Sequence, residues 1–269
     1  MRIVVPLKAV PDLVEEIELS ADGTGTDREF LTFVLSEWDA QALEEALLLK
    51  DAGGAEVVAV GLADDPDIDQ LLYTALAKGA GSAVKLVPAG GAAGAAGPSG
   101  TRGADRAARL AAYLADQPAD LVITGVQAAD DLDGQLPSRL GALLDLPHVS
   151  VVIGVEPAPR EGNGGSVTVR QEFAGGRMHE LTVHMPAVIG VQSARQAPRY
   201  APITRVRQAM SAGGLSEVTV PSRAAGDGLV VRRLYRPGTT GKAEMMTGDA
   251  GEVAGRVVGL LRARGLVKG

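Results

Sequence analysis

The sequence predicts an α/β fold, in the form of a doubly wound and mostly parallel sheet. Short apolar runs recur along the first half of the chain, and amphipathic helical patterns separate them. Strands that are buried on both faces of a parallel sheet have this continuous apolar character, and they need helices to cover them. Hydrophobic residues make up 46% of the 269 residues but aromatic residues only 3%, so we expect a core of Ala, Val, Leu and Ile. Strand and helix should therefore alternate around an aliphatic core.

Four strands are predicted in the first half, at 3–7, 57–62, 83–87 and 121–124. The helix after the first strand should begin at an N-cap, Ser36. Its charged residues Glu44, Glu45 and Lys50 fall mostly on the outer face, and its apolar face carries Trp38, Ala42, Leu43, Ala46 and Leu49. Further helices are predicted at 67–78, with Gly79 as the C-terminal stop, and at 104–115 and 135–144.

The pattern changes in the second half. Strands are predicted at 149–155, 166–173, 178–185 and 186–191, with Ala174-Gly175-Gly176 as the turn of an antiparallel hairpin. Residues 193–240 carry Pro and Arg and lack clear helix or strand signals, so they are predicted to form an extended arm, which ends in a helix at 251–264. The chain thus divides into an α/β domain at 1–192, an arm at 193–240 and a C-terminal helical segment at 241–269. The Gly- and Ala-rich segment 88–103 is interpreted as a flexible surface loop.

Composition excludes several classes of function. The chain has no cysteine, which rules out disulfides, thiolate nucleophiles and thiolate-held zinc or iron–sulfur sites. It has no G-x-S-x-G or P-loop motif, and its three histidines lack metal-site spacing, so an enzyme that works by its own side chains is not expected. A net charge of −7 disfavours nucleic-acid binding. No secretory signal or membrane-spanning run is present, which predicts a cytoplasmic protein without membrane insertion.

The loop at 125–136, GVQAADDLDGQL, is the strongest candidate for a site. It follows a predicted parallel strand and precedes a helix, where free backbone N–H groups can bind an anion. Three aspartates would repel a phosphate by about 4 kcal/mol per close pair. An alternative is that Asp131 or Asp133 is simply the N-cap of the helix. A calcium or magnesium loop is disfavoured because the D-x-D-x-D-G spacing is absent.

A second candidate is the cluster at 195–207, RQAPRYAPITRVR, with four arginines beside a tyrosine and an isoleucine. A nucleic-acid patch is one interpretation. A protein-docking loop fits better, because Arg, Tyr and exposed aliphatic residues are common in interface hot spots and the chain is acidic overall.

Several stretches together resemble the beta subunit of electron transfer flavoproteins, in the right order and over nearly the whole chain. They are IVVPLKAVPD at 3–12, SEWD at 36–39 before ALEEA at 42–46, GVQA at 125–128, RQEFAGG at 170–176, PAV at 186–188, PRYA at 198–201 and GK at 241–242. Each motif alone is weak, but the ordered set is specific.

The resemblance implies a heterodimer with an alpha subunit that holds most of an FAD. The beta subunits of this family are domains of the adenine-nucleotide-binding type, and many bury an adenine nucleotide, usually AMP. The complex accepts electrons from dehydrogenases, typically acyl-CoA dehydrogenases, and passes them to the quinone pool. The chain would be an electron-carrier subunit without catalytic side chains of its own, and the C-terminal segment would pack on the partner.

The resemblance also assigns residues. Leu13 and Trp38 would face the flavin held by the partner. The arm would be the partner-docking segment, through Arg199, Tyr200, Ile203, Arg205 and Arg207, and Glu172 would tether the mobile flavin domain. The adenine nucleotide would contact Pro6, Ser36, Asp39, Leu62, Gln127, Asp130, Gly134, Gln135 and Leu136.

The chain departs from the family's pattern at the nucleotide wall, where Ser36 replaces an Asn and Pro6 a small residue. AMP, a second FAD or nothing can therefore occupy the pocket. Two other functions stay open, a stand-alone adenine-nucleotide-binding module and the beta subunit of a flavin-bifurcating complex.

Overall fold

A computed structural model describes residues 1–27, 31–90, 103–131, 134–158, 165–221, 232–236, 238 and 243–267. The strands are β1 (Arg2–Pro6), β2 (Ala9–Pro11), β3 (Phe33–Leu35), β4 (Glu56–Leu62), β5 (Ser82–Pro88), β6 (Leu121–Gly125), β7 (His148–Pro157), β8 (Ser166–Phe173), β9 (Arg177–His184), β10 (Ala187–Val191) and β11 (Leu215–Val220). The helices are α1 (Glu37–Gly53), α2 (Ile68–Lys78), α3 (Gly103–Asp116), α4 (Leu136–Leu144), α5 (Ile203–Ala212) and α6 (Ala250–Ala263).

One nine-stranded sheet runs in the order β11-β5-β4-β1-β6-β10-β7-β8-β9. Its strands from β11 to β7 pair in parallel, and β7, β8 and β9 pair antiparallel. The hairpin turn contains Gly175 and Gly176, both at positive φ. The predicted fold class, a mostly parallel doubly wound sheet with an antiparallel hairpin, is confirmed.

Helices cover the parallel part of the sheet on both faces. The face of Ile3 and Val5 packs against α1 and α2, and the face of Val4 packs against α3 and α4. Tyr113 is the one aromatic side chain among the buried hydrophobic residues that the structure describes, and the rest of that core is aliphatic. The low aromatic content thus predicted the core correctly.

The prediction that 193–240 lacks regular structure is wrong for its middle part. α5 packs against α2 and buries Val206, and β11 extends the sheet by pairing in parallel with β5. Pro198 and Pro202 obscured the helix, because Pro202 stands at its N-cap, outside the helical hydrogen bonds. The small antiparallel sheet of β2 and β3 was not predicted either.

The described chain separates into two compact units, residues 1–234 and 235–269. In the second unit, Asp249 caps α6 by accepting hydrogen bonds from the N–H groups of Gly251 and Glu252. No helix in the described ranges is long and apolar enough to cross a membrane. Most of segment 88–103 and the GK pair at 241–242 lie outside the described residues. The functional division at 192 and 240 stays a prediction.

Candidate functional site

The loops after β1 and β6 lie side by side at the carboxyl edge of the sheet. The two strands are neighbours, but the chain leaves β1 through α1 towards β4, whereas it leaves β6 through α4 towards β7 on the opposite side. Ligands of doubly wound sheets bind at the point where the strand order reverses in this way. The switch point of this sheet therefore lies between the ends of β1 and β6.

Asp39, in the first turn of α1, connects the two strand ends. Its Oδ2 accepts a hydrogen bond from the N–H of Lys8 at 2.9 Å, and its Oδ1 accepts one from the N–H of Gly125 at 3.2 Å. Burial raises the pKa of Asp39 to about 7, although the positive charge of Arg106 and the two N–H groups act in the opposite direction. Both carboxyl oxygens are thus used to hold the edge together.

The raised pKa of Asp39 predicts that the stability of the folded chain depends on pH. Between the unfolded value of 3.8 and about 7, the folded chain binds more protons than the unfolded chain, so stability falls as pH rises through this window. From pH 5 to pH 8, the free energy of unfolding of wild type should fall by about 2 kcal/mol relative to that of Asp39→Asn, because the asparagine has no proton to release. Urea unfolding of both proteins across this range measures the difference. A difference that does not change with pH would contradict the prediction.

Three cations lie near the same edge, and each has a carboxylate partner. Arg106 is 4% exposed and also donates to the carbonyl of Leu7, which follows β1, at 2.5 Å. The ion pairs are Lys8 with Asp130 at 2.5 Å, Arg106 with Asp65 at 2.8 Å, and Arg109 with Asp64 at 2.6 Å and with Asp105 at 2.8 Å. The residues of α3 that form these pairs were not singled out in the sequence. Their signal was only a pair of arginines spaced three apart on a helix.

The residues assigned to an adenine nucleotide differ in exposure. Gln127, Asp130 and Gln135 are exposed, Gly134 and Leu136 are half-buried, and Pro6, Ser36, Asp39 and Leu62 are buried. The buried four are covered by the protein's own atoms. Their assignment to a nucleotide stays a prediction.

The helix after the candidate loop begins differently from expectation. α4 has Gln135 at its N-cap, with no side-chain capping hydrogen bond among the described residues, so the alternative that Asp131 is the N-cap is wrong. Asp133 itself lies outside the described residues. Pro137 occupies the first turn and has no N–H, which removes one of the donors that an anion at this helix start would use.

Ser36 stands at the predicted N-cap position of α1 but does not cap the helix with its side chain. Its Oγ is fully buried and has no hydrogen-bond partner in the part of the chain that the structure describes. An N-cap Ser→Ala change usually costs about 0.5 to 2 kcal/mol because a capping bond is lost. Here we expect Ser36→Ala to be neutral or stabilising by up to about 1 kcal/mol, because it removes an unsatisfied buried hydroxyl. Chemical denaturation measures this, and a loss above about 1 kcal/mol would reveal a hidden partner of Oγ.

Leu13 and Trp38, which the resemblance places before a flavin, line one cleft. The cleft has a volume of about 270 Å³. Leu13 is 66% exposed, and Trp38 is half-buried in the first turn of α1. The other lining residues are Val10, Pro11, Val34, Leu35, Glu37 and Ala129. The structure therefore brings these two predicted residues together in a largely apolar recess beside the switch point.

The residues assigned to docking are divided between α5, the segment before it and β8. Tyr200 is 83% exposed and Ile203 is 53% exposed. Arg205 and Arg207 are exposed on α5, and Glu172 is half-buried on β8. Arg199 instead binds α1 through Glu44, with Nε and Nη2 3.0 and 2.9 Å from Oε1. The docking role of these residues stays a prediction.

Glu44 and Glu45 do not lie on a solvated face of α1, as the helical pattern predicted. They are 3% and 0% exposed. Glu45 accepts hydrogen bonds from the N–H of Val155 and from the N–H and Nε of Arg195, and Glu44 accepts from the N–H and the guanidinium of Arg199. The segment after β10 covers these carboxylates, which helical periodicity alone does not reveal.

The fold and this site define a doubly wound α/β binding domain with an apolar cleft beside its switch point. A family model described as the electron transfer flavoprotein domain matches residues 28–222. The chain therefore belongs to the electron transfer flavoprotein family, and the relatives reported next are beta subunits.

Three such relatives show how far the likeness extends. Electron transfer flavoprotein subunit beta of Methylophilus methylotrophus is 28% identical, over 97% of this chain and 98% of its own. The same subunit of Syntrophomonas wolfei is 33% identical, over 74% and 73%. That of Bacillus subtilis is 24% identical, over 99% and 100%. Two of these likenesses therefore extend over nearly the whole of both chains.

Proposed function

We propose that the chain is the beta subunit of an electron transfer flavoprotein. It pairs with an alpha subunit that holds FAD, and the heterodimer carries electrons from dehydrogenases, typically acyl-CoA dehydrogenases, towards the respiratory quinone pool. The bound FAD supplies the redox chemistry. This chain supplies a wall beside the flavin and a docking surface, and no catalytic side chain. Likeness to beta subunits over nearly full length supports the pairing.

The cleft of Leu13 and Trp38 is the observation that carries the proposal. A flavin ring is flat and partly apolar, and an apolar recess with an indole beside it suits such a surface. Trp38 sits in the turn of α1 that Asp39 fastens to the strand ends. A Cβ on Gly125 would come within 2.8 Å of the Trp38 Cβ, so the backbone of β6 lies directly against it. The backbone and Cβ of Trp38 are therefore fixed against the end of β6 before any partner binds.

The surface of α5 supports the docking part of the proposal. Ile203 projects at the start of the helix, and Arg205 and Arg207 lie exposed nearby. An aliphatic anchor with arginines around it suits a partner whose surface has an apolar pocket and acidic residues. The cytoplasmic location predicted from the sequence stays a prediction.

The structure does not support the alternative that the chain is a stand-alone adenine-nucleotide-binding module. Residues 203–220 supply α5 and an edge strand of the main sheet, so the arm is not an appendage that a minimal module could lack. The flavin-bifurcating alternative differs from the proposal in flavin stoichiometry, with two flavins per heterodimer instead of one.

Co-expression with the alpha subunit from the same organism tests the proposed function. The chain alone should be colourless, and the purified complex should be yellow and contain one FAD. Leu13→Ser should change the fluorescence of the bound flavin, because a polar group then lines the cleft. Leu143→Ser, the same change at an exposed position on α4, should not. A complex without flavin, or identical flavin spectra for both variants, would overturn the proposal.

A further inference from the structure

The Arg106 cluster lies at the carboxyl ends of β1 and β4, and it consists of Lys8, Arg106, Arg109, Asp39, Asp64, Asp65, Asp105 and Asp130. Its centre is Arg106, which extends from α3 to the carbonyl of Leu7 and to Asp65 after β4. A carbonyl beyond the end of a parallel strand is a group that a ligand at this edge would bind. Here an internal guanidinium already binds it. Both side chains of the Arg106–Asp65 pair are at most 5% exposed.

The two remaining cations of the Arg106 cluster, Arg109 and Lys8, are also paired with carboxylates. Arg109, one turn further along α3, binds Asp64 and Asp105, and Lys8 bridges from the end of β1 to Asp130 in the loop after β6. The carboxyl group of Asp39 accepts hydrogen bonds from the backbone N–H groups of Lys8 and Gly125. Among the described residues, five carboxyl groups thus surround these three cations, so none of the three is left without a carboxyl partner to bind a phosphate.

The start of α4 does not make up for this lack of positive charge. Pro137 removes one N–H donor from the first turn. Asp130, at the same loop, is a carboxylate. A phosphate monoester carries nearly two negative charges at neutral pH, so it would meet more repulsion than attraction among these described groups.

The buried side of the nucleotide wall, formed by Pro6, Ser36 and Leu62, has no opening to the surface either. Ser36 has a buried hydroxyl that no described residue contacts by a hydrogen bond, and in an open pocket such a hydroxyl would contact a ligand. The hydroxyl has no exposed surface, and Pro6 and Leu62 are buried with it. The described residues therefore do not fit an adenine nucleotide.

We propose that the Arg106 cluster takes the place of the adenine nucleotide that the resemblance predicts, so that this chain binds neither AMP nor a second FAD at the ends of β1 and β4. The guanidinium of Arg106 meets the carbonyl after β1, and the ion pairs connect β1, β4, α3 and the loop after β6. The inference rests on the proposed function only in expecting an alpha subunit with its FAD in the complex.

Small molecules released from the purified, denatured heterodimer test the proposal by mass spectrometry. We expect one FAD per heterodimer and no AMP. AMP at one per heterodimer, or a second FAD, overturns the proposal. A sample with neither FAD nor AMP supports the closed nucleotide site while contradicting the proposed function, so the two failures are distinguishable.

A double variant tests whether Arg106 is the residue that excludes AMP from this site. Arg106→Ala with Asp65→Ala removes both partners, so neither is left as a lone buried charge. In calorimetric titration of the heterodimer with AMP, this variant should bind at least about tenfold more tightly than wild type. Arg170→Ala with Glu156→Ala, an exposed pair on the hairpin side, should bind as wild type does. Equal AMP affinity in all three proteins overturns the role of Arg106. Retained FAD and an unchanged circular dichroism spectrum show that the variants are folded.

Discussion

Arg199→Gln is expected to lower the free energy of unfolding by about 2 to 3 kcal/mol, less than the roughly 3 to 5 kcal/mol of a fully buried ion pair, because Glu44 is buried but the Arg199 side chain is 31% exposed. Glu44 is 3% exposed on α1, and Arg199 meets it with its backbone N–H at 2.8 Å and with its guanidinium at 2.9 Å. Without the guanidinium, the carboxylate of Glu44 keeps the hydrogen bond from the N–H of Arg199 but loses those from Nε and Nη2. Urea denaturation of the isolated chain measures the loss.

Two controls separate this effect from a general loss of charge. The double variant Arg199→Gln with Glu44→Gln should be more stable than Arg199→Gln alone, because no unpaired carboxylate remains. Arg170→Gln removes an arginine from a pair whose side chains are 49% and 45% exposed, and should cost less than about 1 kcal/mol. If Arg170→Gln and Arg199→Gln cost the same, the buried pair does not stabilise the chain as described.

Arg199→Gln and the single variant Glu44→Gln together test the docking role of Arg199. Glu44 is too deeply buried to contact a partner. If Glu44→Gln weakens association with an electron donor as much as Arg199→Gln does, Arg199 acts by positioning the segment before α5. If only Arg199→Gln weakens it, Arg199 contacts the donor directly, as the resemblance implies.

Gly125→Ala is expected to cost about 1 to 3 kcal/mol or more through overpacking. The added Cβ would lie 2.6 Å from Oδ1 of Asp39 and 2.9 Å from the backbone carbonyl carbon of Trp38. Backbone atoms cannot rotate away, so α1 must move from the end of β6 and carry Trp38 with it. The change should therefore lower stability and also alter the fluorescence of Trp38, the one tryptophan of the chain.

Gly53→Ala is the matched control for this prediction. Gly53 is the last residue of α1, and no atom of the described residues lies within 4 Å of the position of an added Cβ. It should leave the tryptophan emission unchanged and stabilise the helix by up to about 1 kcal/mol. An emission spectrum of Gly125→Ala identical to that of wild type would show that the edge accommodates the methyl group without moving the indole.

Much of the fold could be read from local pattern. Gly79 was predicted to stop α2, and it does so with a positive φ and its N–H bonded to the carbonyls of Ala75 and Leu76. Buried strands such as β6 are continuous apolar runs, so their existence follows from composition over a few residues. By contrast, α5 is not evident from the sequence although Ile203, Val206 and Met210 have helical spacing, because Pro198 and Pro202 precede it and its other residues are mostly polar.

For the candidate site too, some features follow from the sequence alone and others depend on the tertiary structure. Sequence alone determined that the chain has no thiol chemistry, that ligand-binding loops should follow its parallel strands, and which family it resembles, because these depend on residue type and order. Tertiary structure decided that Glu44 is buried and that Arg106 binds the carbonyl of Leu7. These contacts join residues 155 and 99 positions apart, and their burial exists only once distant segments cover one another.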